Sequence, residues 1–127
     1  MRPRRAKAEV PPGTDAIGSI PTGTGILSVA TDDVVMTGNR INDNNSAGIA
    51  VIAYPFPFAD PRFDPLPDRN KVHDNTVNGN GAYPDPIRSP YPGADLLHDG
   101  TGNGNCFSGN RFSTTFPVNI EALFPCP

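Results

Sequence analysis

The chain has 127 residues and a net charge of −3, which leaves room for one domain and no bulk electrostatic preference for a polyanion or a membrane surface. Its 16 Pro and 13 Gly, set beside two Glu, two Lys and no Trp, exclude long helices. No stretch reaches the roughly 20 apolar residues of a membrane-spanning helix, and 12 Asn among Gly, Thr and Val read as an all-β chain rich in turns.

Residues 1–21 carry the one basic cluster, Arg2, Arg4, Arg5 and Lys7, among Pro and Gly, and are expected to form a disordered or extended N-terminal segment. No basic stripe interleaved with aromatics follows, so no nucleic-acid partner is expected, and no membrane partner either. No apolar stretch follows the charges, so a signal peptide is not expected here; the chain reads as the C-terminal part of a longer protein.

From residue 22 onward a pattern occurs three times: apolar, two residues, Asn, one residue, apolar, two residues, Asn or Thr. It runs Met36, Asn39, Ile41, Asn44; then Val72, Asn75, Val77, Asn80; then Phe107, Asn110, Phe112, Thr115. Gly38, Asp74 and Gly109 coincide in it, as do Asn42, Asn78 and Ser113. A strand-like run precedes each copy: Gly25–Val29, Gly48–Ile52 and Ala94–His98, the first two 23 residues apart, a plausible length for one coil. Such a chain is expected to wind into a β-solenoid of about three coils, because no single coil can bury its own apolar side chains. Met36, Val72 and Phe107 would form one interior row, and Ile41, Val77 and Phe112 another. Asn39, Asn75 and Asn110 would mark a bend in the left-handed conformation and join their amides from coil to coil. Asn44 and Asn80 would begin a second row.

Two Pro-rich segments interrupt the coils. Residues 54–67 hold five prolines and four aromatics, and residues 81–93 hold four prolines with Tyr83 and Tyr91. Proline removes a ladder donor, so both segments are expected to leave the coil as loops flanking one face. At the end of the chain Cys106 and Cys126 fit a single disulfide closing a loop of about 20 residues. Residues 116–127 would then fold back as a cap over the last coil, shielding Phe107 and Phe112.

The runs V-V-M-T-G-N-R-I-N-D-N and V-H-D-N-T-V-N-G-N resemble right-handed parallel β-helix proteins of the pectin-lyase-like superfamily. The closing run from Ala94 to Pro117 resembles the C-terminal coils of secreted bacterial members, and the resemblance spans residues 22–127. It implies a secreted or cell-surface protein, further coils in a longer parent chain, and polysaccharide as the partner. Proteins of this kind include polysaccharide lyases, glycoside hydrolases, epimerases and phage tailspikes, so the resemblance specifies fold better than chemistry.

Two functions are therefore expected: a structural C-terminal β-helix segment of an exported protein contacting polysaccharide, or part of a carbohydrate-active enzyme with its active site here or on other coils. A glycan groove would draw on Tyr54, Phe56, Phe58, Phe63, Tyr83 and Tyr91 for stacking. Asp60, Asp64, Asp95, Asp99, Arg62, Arg88 and His98 would serve its hydroxyls or uronates. The alternative use of the same residues is to pack the loops onto the coil and cap turns. For glycoside hydrolysis the candidate pair is Asp95 and Asp99 with His98 as acid or base. A lyase would want Ca²⁺, for which Asp32 and Asp33 are the adjacent acidic pair; no other cofactor and no transition-metal site is expected.

Overall fold

The computed structural model describes residues 22–54 and 61–127. They form an all-β arrangement of ten short strands with a single four-residue helix. The strands are β1 (Thr24–Val29), β2 (Val35–Thr37), β3 (Arg40–Asn42), β4 (Ala47–Ile52), β5 (Lys71–His73), β6 (Thr76–Asn78), β7 (Ala94–His98), β8 (Cys106–Ser108), β9 (Arg111–Phe112) and β10 (Thr115–Phe116), and α1 is Ile120–Leu123. They lie in three sheets, ordered β1-β4-β7-β10, β2-β5-β8 and β3-β6-β9, and every pairing is parallel. The chain thus visits the three sheets in turn, three times, before β10 and α1 close the end.

In the three-residue strands the middle side chain, Met36, Ile41, Val72, Val77 or Phe107, turns inward; of the flanking ones only Cys106 is also buried, in the disulfide. Met36, Val72 and Phe107 pair in register across one sheet, and Ile41, Val77 and Phe112 across another. Ile26, Ile49 and Leu96 supply the facing row. All of these except Phe112, with Val51 and Ile120, make one continuous core, and Val72, Val77, Ile49, Leu96 and Phe107 are wholly enclosed. β4 and β7 are buried on both faces, because an outer apolar layer of Ala50, Ile52 and Leu97 is itself covered by Leu27, Val29, Tyr91 and Phe116.

Register in the first sheet depends on Gly48. Ala94 pairs with Ala47, so Asp95 stands beside Gly48. A Cβ on Gly48 would overlap Val77 Cγ1 and crowd the Asp95 carbonyl. Glycine is what lets this strand pass so close to its neighbours.

Asparagines line the bends between sheets. Asn39 gives its backbone N–H and its Nδ2 to Asn75 Oδ1 at 2.9 and 3.0 Å, and Asn75 gives the same pair to Asn110 Oδ1 at 3.0 Å each. The second Nδ2 hydrogen returns to the layer before: Asn75 to Met36 O, Asn110 to Val72 O. At the next bend Asn44 repeats this with Asn80. A third column at the remaining bend joins Val34 N–H to Asn70 and Asn70 to Asn105. Sequence reasoning missed it, although Asn70 and Asn105 each stand five residues before a column Asn.

Two expectations are corrected, and one place in the repeat is taken by a residue of another type. The left-handed residue at each bend is the one before the asparagine: Gly38, Asp74 and Gly109 ahead of the first column, Asp43 and Gly79 ahead of the second. Positive φ turns the chain there and leaves the following Asn free to aim both its donors along the stack. Thr115 does not continue the second column; it lies in β10, and Asp95 takes the place instead, accepting Asn80 N–H and Nδ2 on one oxygen. The tail encloses Phe107 but leaves Phe112 37% exposed, because α1 packs chiefly on β7 and β8.

The tail is otherwise a closure. Cys106 and Cys126 are disulfide-bonded with Cα atoms 4.8 Å apart. β10 pairs with the free edge of β7, and Phe124 O accepts the Phe107 N–H. Glu121 Oε2 accepts both donors of Asn110, ending the first column.

Candidate functional site

The residues proposed from sequence for acid–base work lie inside the fold. Asp95 is 1% exposed, and its two oxygens accept four N–H groups, from Asn80 twice and from Ser113 and Thr114. A carboxylate so enclosed and saturated has no lone pair to offer a surface ligand. His98 is 2% exposed; its Nδ1–H donates to Val51 O at 2.8 Å, and its ring packs on Phe124 and Phe107 at 4.8 and 5.8 Å. Asp99 accepts Ala53 N–H on one oxygen and both Thr101 donors on the other. All three act as turn and column acceptors or as core, which argues against their use as acid, base or nucleophile.

Among the described residues, three of the four aromatics of the Pro-rich segments, Tyr54, Phe63 and Tyr91, pack against another ring. Tyr54 and Phe63 meet edge to face at 5.1 Å, and Tyr54 N–H is held by Pro65 O. Tyr91 lies half-buried against Phe116 at 6.0 Å. Burial, and secondarily the Asp99 charge, pushes its hydroxyl pKa up. Tyr83 is 76% exposed, and among the described residues no ring packs on it. Arg62 is exposed, and Asp64 caps Leu66 N–H. Phe56, Phe58 and Asp60 lie outside the described residues.

Arg88 is committed to Asp85, with Nη1 3.0 Å from Oδ2. Asp85 also accepts Thr22 N–H and Oγ1, Ile87 N–H and Arg88 N–H, and its own N–H donates to Ser46 Oγ. The Thr22 amide foremost, with the Ile87 and Arg88 donors, holds the Asp85 carboxyl well below the ordinary carboxylate range against the opposing effect of burial. This one side chain ties the start of β1 to the 81–93 loop.

Of the acidic pair named for Ca²⁺, Asp33 turns to Arg69, which donates Nε and Nη2 to it at 2.8 and 3.0 Å and lowers its pKa. Asp32 gathers instead with Asp64 and Asp68, their carboxylate oxygens within 4.8 Å of one another. All three already accept a backbone N–H, from Asp68, Leu66 and Asn103 respectively.

What the sequence did not single out is the outer face of the β3-β6-β9 sheet. Arg40, Thr76 and Arg111 pair in register, each directly after a column asparagine, so their side chains stack in an outward row. Both arginines are exposed, and among the described residues neither guanidinium has a hydrogen-bond or ion-pair partner. Two strand spacings separate them, roughly 9–10 Å between Cα atoms. Beside this row runs Asn42, Asn78 and Ser113, with Ser113 Oγ donating to Asn78 Oδ1 at 3.1 Å. The face is flat and polar, and it repeats along the stack with the strand spacing. On the neighbouring β2-β5-β8 sheet Thr37, His73 and Ser108 form the corresponding row, and His73 Nδ1 lies 2.6 Å from Asp74 Oδ2.

No known protein family, curated protein or solved structure matches this chain.

Proposed function

We propose that this chain is a segment of a right-handed parallel β-helix from an exported protein: a scaffold, closed at its C-terminal end, whose outer face contacts polysaccharide. The observation that carries the reading is the pair of asparagine columns that pass through successive layers and end on carboxylates, Glu121 and Asp95. Stacked layers of this kind suit a rigid, extended support. The disulfide favours an oxidising compartment.

For polysaccharide contact, the Arg40–Thr76–Arg111 row with its Asn42–Asn78 neighbour is better suited than the loop aromatics, several of which are spent on packing. Two guanidinium groups without a partner among the described residues, with Thr76 between them and the Asn42–Asn78 amides alongside, can bind carboxylates and hydroxyls repeated along a linear glycan. Affinity electrophoresis through gels containing an acidic or a neutral polysaccharide tests this. Retardation by the acidic polymer is expected, weakened by salt and lost in an Arg40→Ala/Arg111→Ala double variant of unchanged stability. Equal mobility in every gel would overturn the glycan reading.

A further inference from the structure

Three asparagines stand directly before a glycine: Asn78–Gly79, Asn80–Gly81 and Asn103–Gly104. In such a pair the glycine nitrogen can attack the side-chain amide carbon, because no Cβ on the following residue crowds the approach. The fold treats the three pairs differently. Asn80 is buried, its Nδ2 donates to Ile41 O and Asp95 Oδ1, and the nitrogen that would attack it, Gly81 N, donates to Asn44 O. Asn78 ends β6, which pairs with β3 on one side and β9 on the other, and its Oδ1 accepts Ser113 Oγ. Ring closure needs an asparagine ψ far from the extended value that those pairings fix. Asn103 lies outside every strand, exposed, between β7 and β8. Among the described residues neither its side-chain amide nor Gly104 N–H has a hydrogen-bond partner.

We infer that Asn103 is a site of spontaneous covalent modification, a deamidation with water as co-reactant, and that the fold confines it to this one of the three pairs. The inference is independent of glycan contact. Gly104 N bonds to Asn103 Cγ, the amide proton leaves with Nδ2 as ammonia, and a five-membered imide closes through the main chain. Water then opens the imide. Attack at Cγ restores the original main chain and leaves aspartate. Attack at the main-chain carbonyl carbon leaves isoaspartate, with the chain running on through Cβ and Cγ. Either product exchanges a neutral amide for a carboxylate, and neither step needs an oxidant, a reductant or an enzyme.

The place of Asn103 in the stack gives the change a structural readout. Its N–H donates to Asp68 Oδ1 at 2.8 Å, and its carbonyl accepts Arg69 N–H at 2.9 Å. Two residues later Asn105 Oδ1 takes both donors of Asn70 in the third column. A carboxylate at position 103 stands beside Asp68, which already gathers with Asp32 and Asp64, so like charges oppose the old geometry. In the isoaspartyl product the carbonyl that Arg69 used becomes the free carboxylate, and the main chain gains one carbon ahead of Asn105. Arg69 and Asn70 thereby lose the placement of their acceptors, and the bend before β8 loosens. Loss of ammonia makes the change one-way, so position 103 records the age of the molecule.

The test incubates the intact 127-residue protein in mildly alkaline buffer, folded and in urea, and follows each Asn–Gly pair by peptide mass spectrometry. Fragmentation separates aspartate from isoaspartate. In urea the three pairs should convert at comparable rates. In the folded protein Asn103 should convert nearly as fast as in urea, and Asn78 and Asn80 at least about tenfold more slowly, since they must first open locally. Converted protein, separated by its extra negative charge on an anion-exchange column, should show faster amide exchange at Arg69 and Asn70. The Asn103→Gln variant, whose longer side chain closes the ring poorly, should keep the slow exchange after the same incubation. Conversion at Asn78 or Asn80 as fast as at Asn103 in the folded protein would overturn the inference. So would a folded Asn103 slowed about tenfold or more relative to urea, which would mean that the fold protects it too. Unchanged exchange at Arg69 and Asn70 after conversion would overturn the effect on the third column.

Discussion

Asn110 and Glu121 join the last strand layer to the terminal helix: the backbone N–H and Nδ2 of the asparagine both donate to Glu121 Oε2, at 3.0 and 2.8 Å. The carboxylate stands where the next asparagine of the column would be. Glu121→Ala strips the acceptor from two N–H groups and should cost about 1.5–3 kcal/mol, the range for hydrogen bonds to charged groups. Glu121→Gln keeps a carbonyl acceptor and should cost less. Urea unfolding midpoints decide between them, and equal losses would show that Glu121 acts through packing alone.

Asn75 and Asn78 differ by three positions and by their place in the stack. Asn75 is 1% exposed and bonded to layers on both sides, whereas Asn78 is half-buried on the outer face and meets Ser113. Asn75→Ala should destabilise by about 1–3 kcal/mol, and Asn78→Ala by no more than about 0.5 kcal/mol. Coincident midpoints for the two variants would remove the columns as a source of stability.

Reduction of Cys106–Cys126 should loosen the terminal layer, by roughly 3 kcal/mol in the chain-entropy account of a 20-residue loop. The Phe107 amide, bonded to Phe124 O, is the local reporter and should exchange faster, while residues 117–127 become open to protease. Amides of β2 and β3 should change less, since layers couple chiefly to their neighbours. Uniform acceleration throughout the chain would show instead that the stack unfolds as one unit.

Asp85 gives the protein an acid-sensitive tie. Its folded pKa is depressed, so the stability it contributes is fully present above the unfolded value of roughly 3.9 and is lost as pH falls toward the folded one. Below that range protonation should release Thr22 and Arg88. The Asp85→Asn variant should be less stable than the parent at neutral pH and should approach it as pH is lowered. Parallel stability curves across the acid range would exclude this role.

The spacing of like residues was enough to name two of the three bend columns and two interior rows, because a stack repeats its chemistry at fixed register: Met36, Val72 and Phe107 align from sequence as they do in space. The disulfide was legible too, from two cysteines on either side of an apolar tail. The ends of the columns were not. Asp95 reaches Asn80 across the 81–93 loop from 15 residues away, and Glu121 reaches Asn110 from a helix that carries no repeat. Neither shows periodicity, since each replaces the repeat where it stops. Asp95, His98 and Tyr91 looked chemically available because residue type says nothing of enclosure. A one-residue choice of register, Ala94 beside Ala47, sets which side chains of β7 turn inward, and only the packed layers decide it.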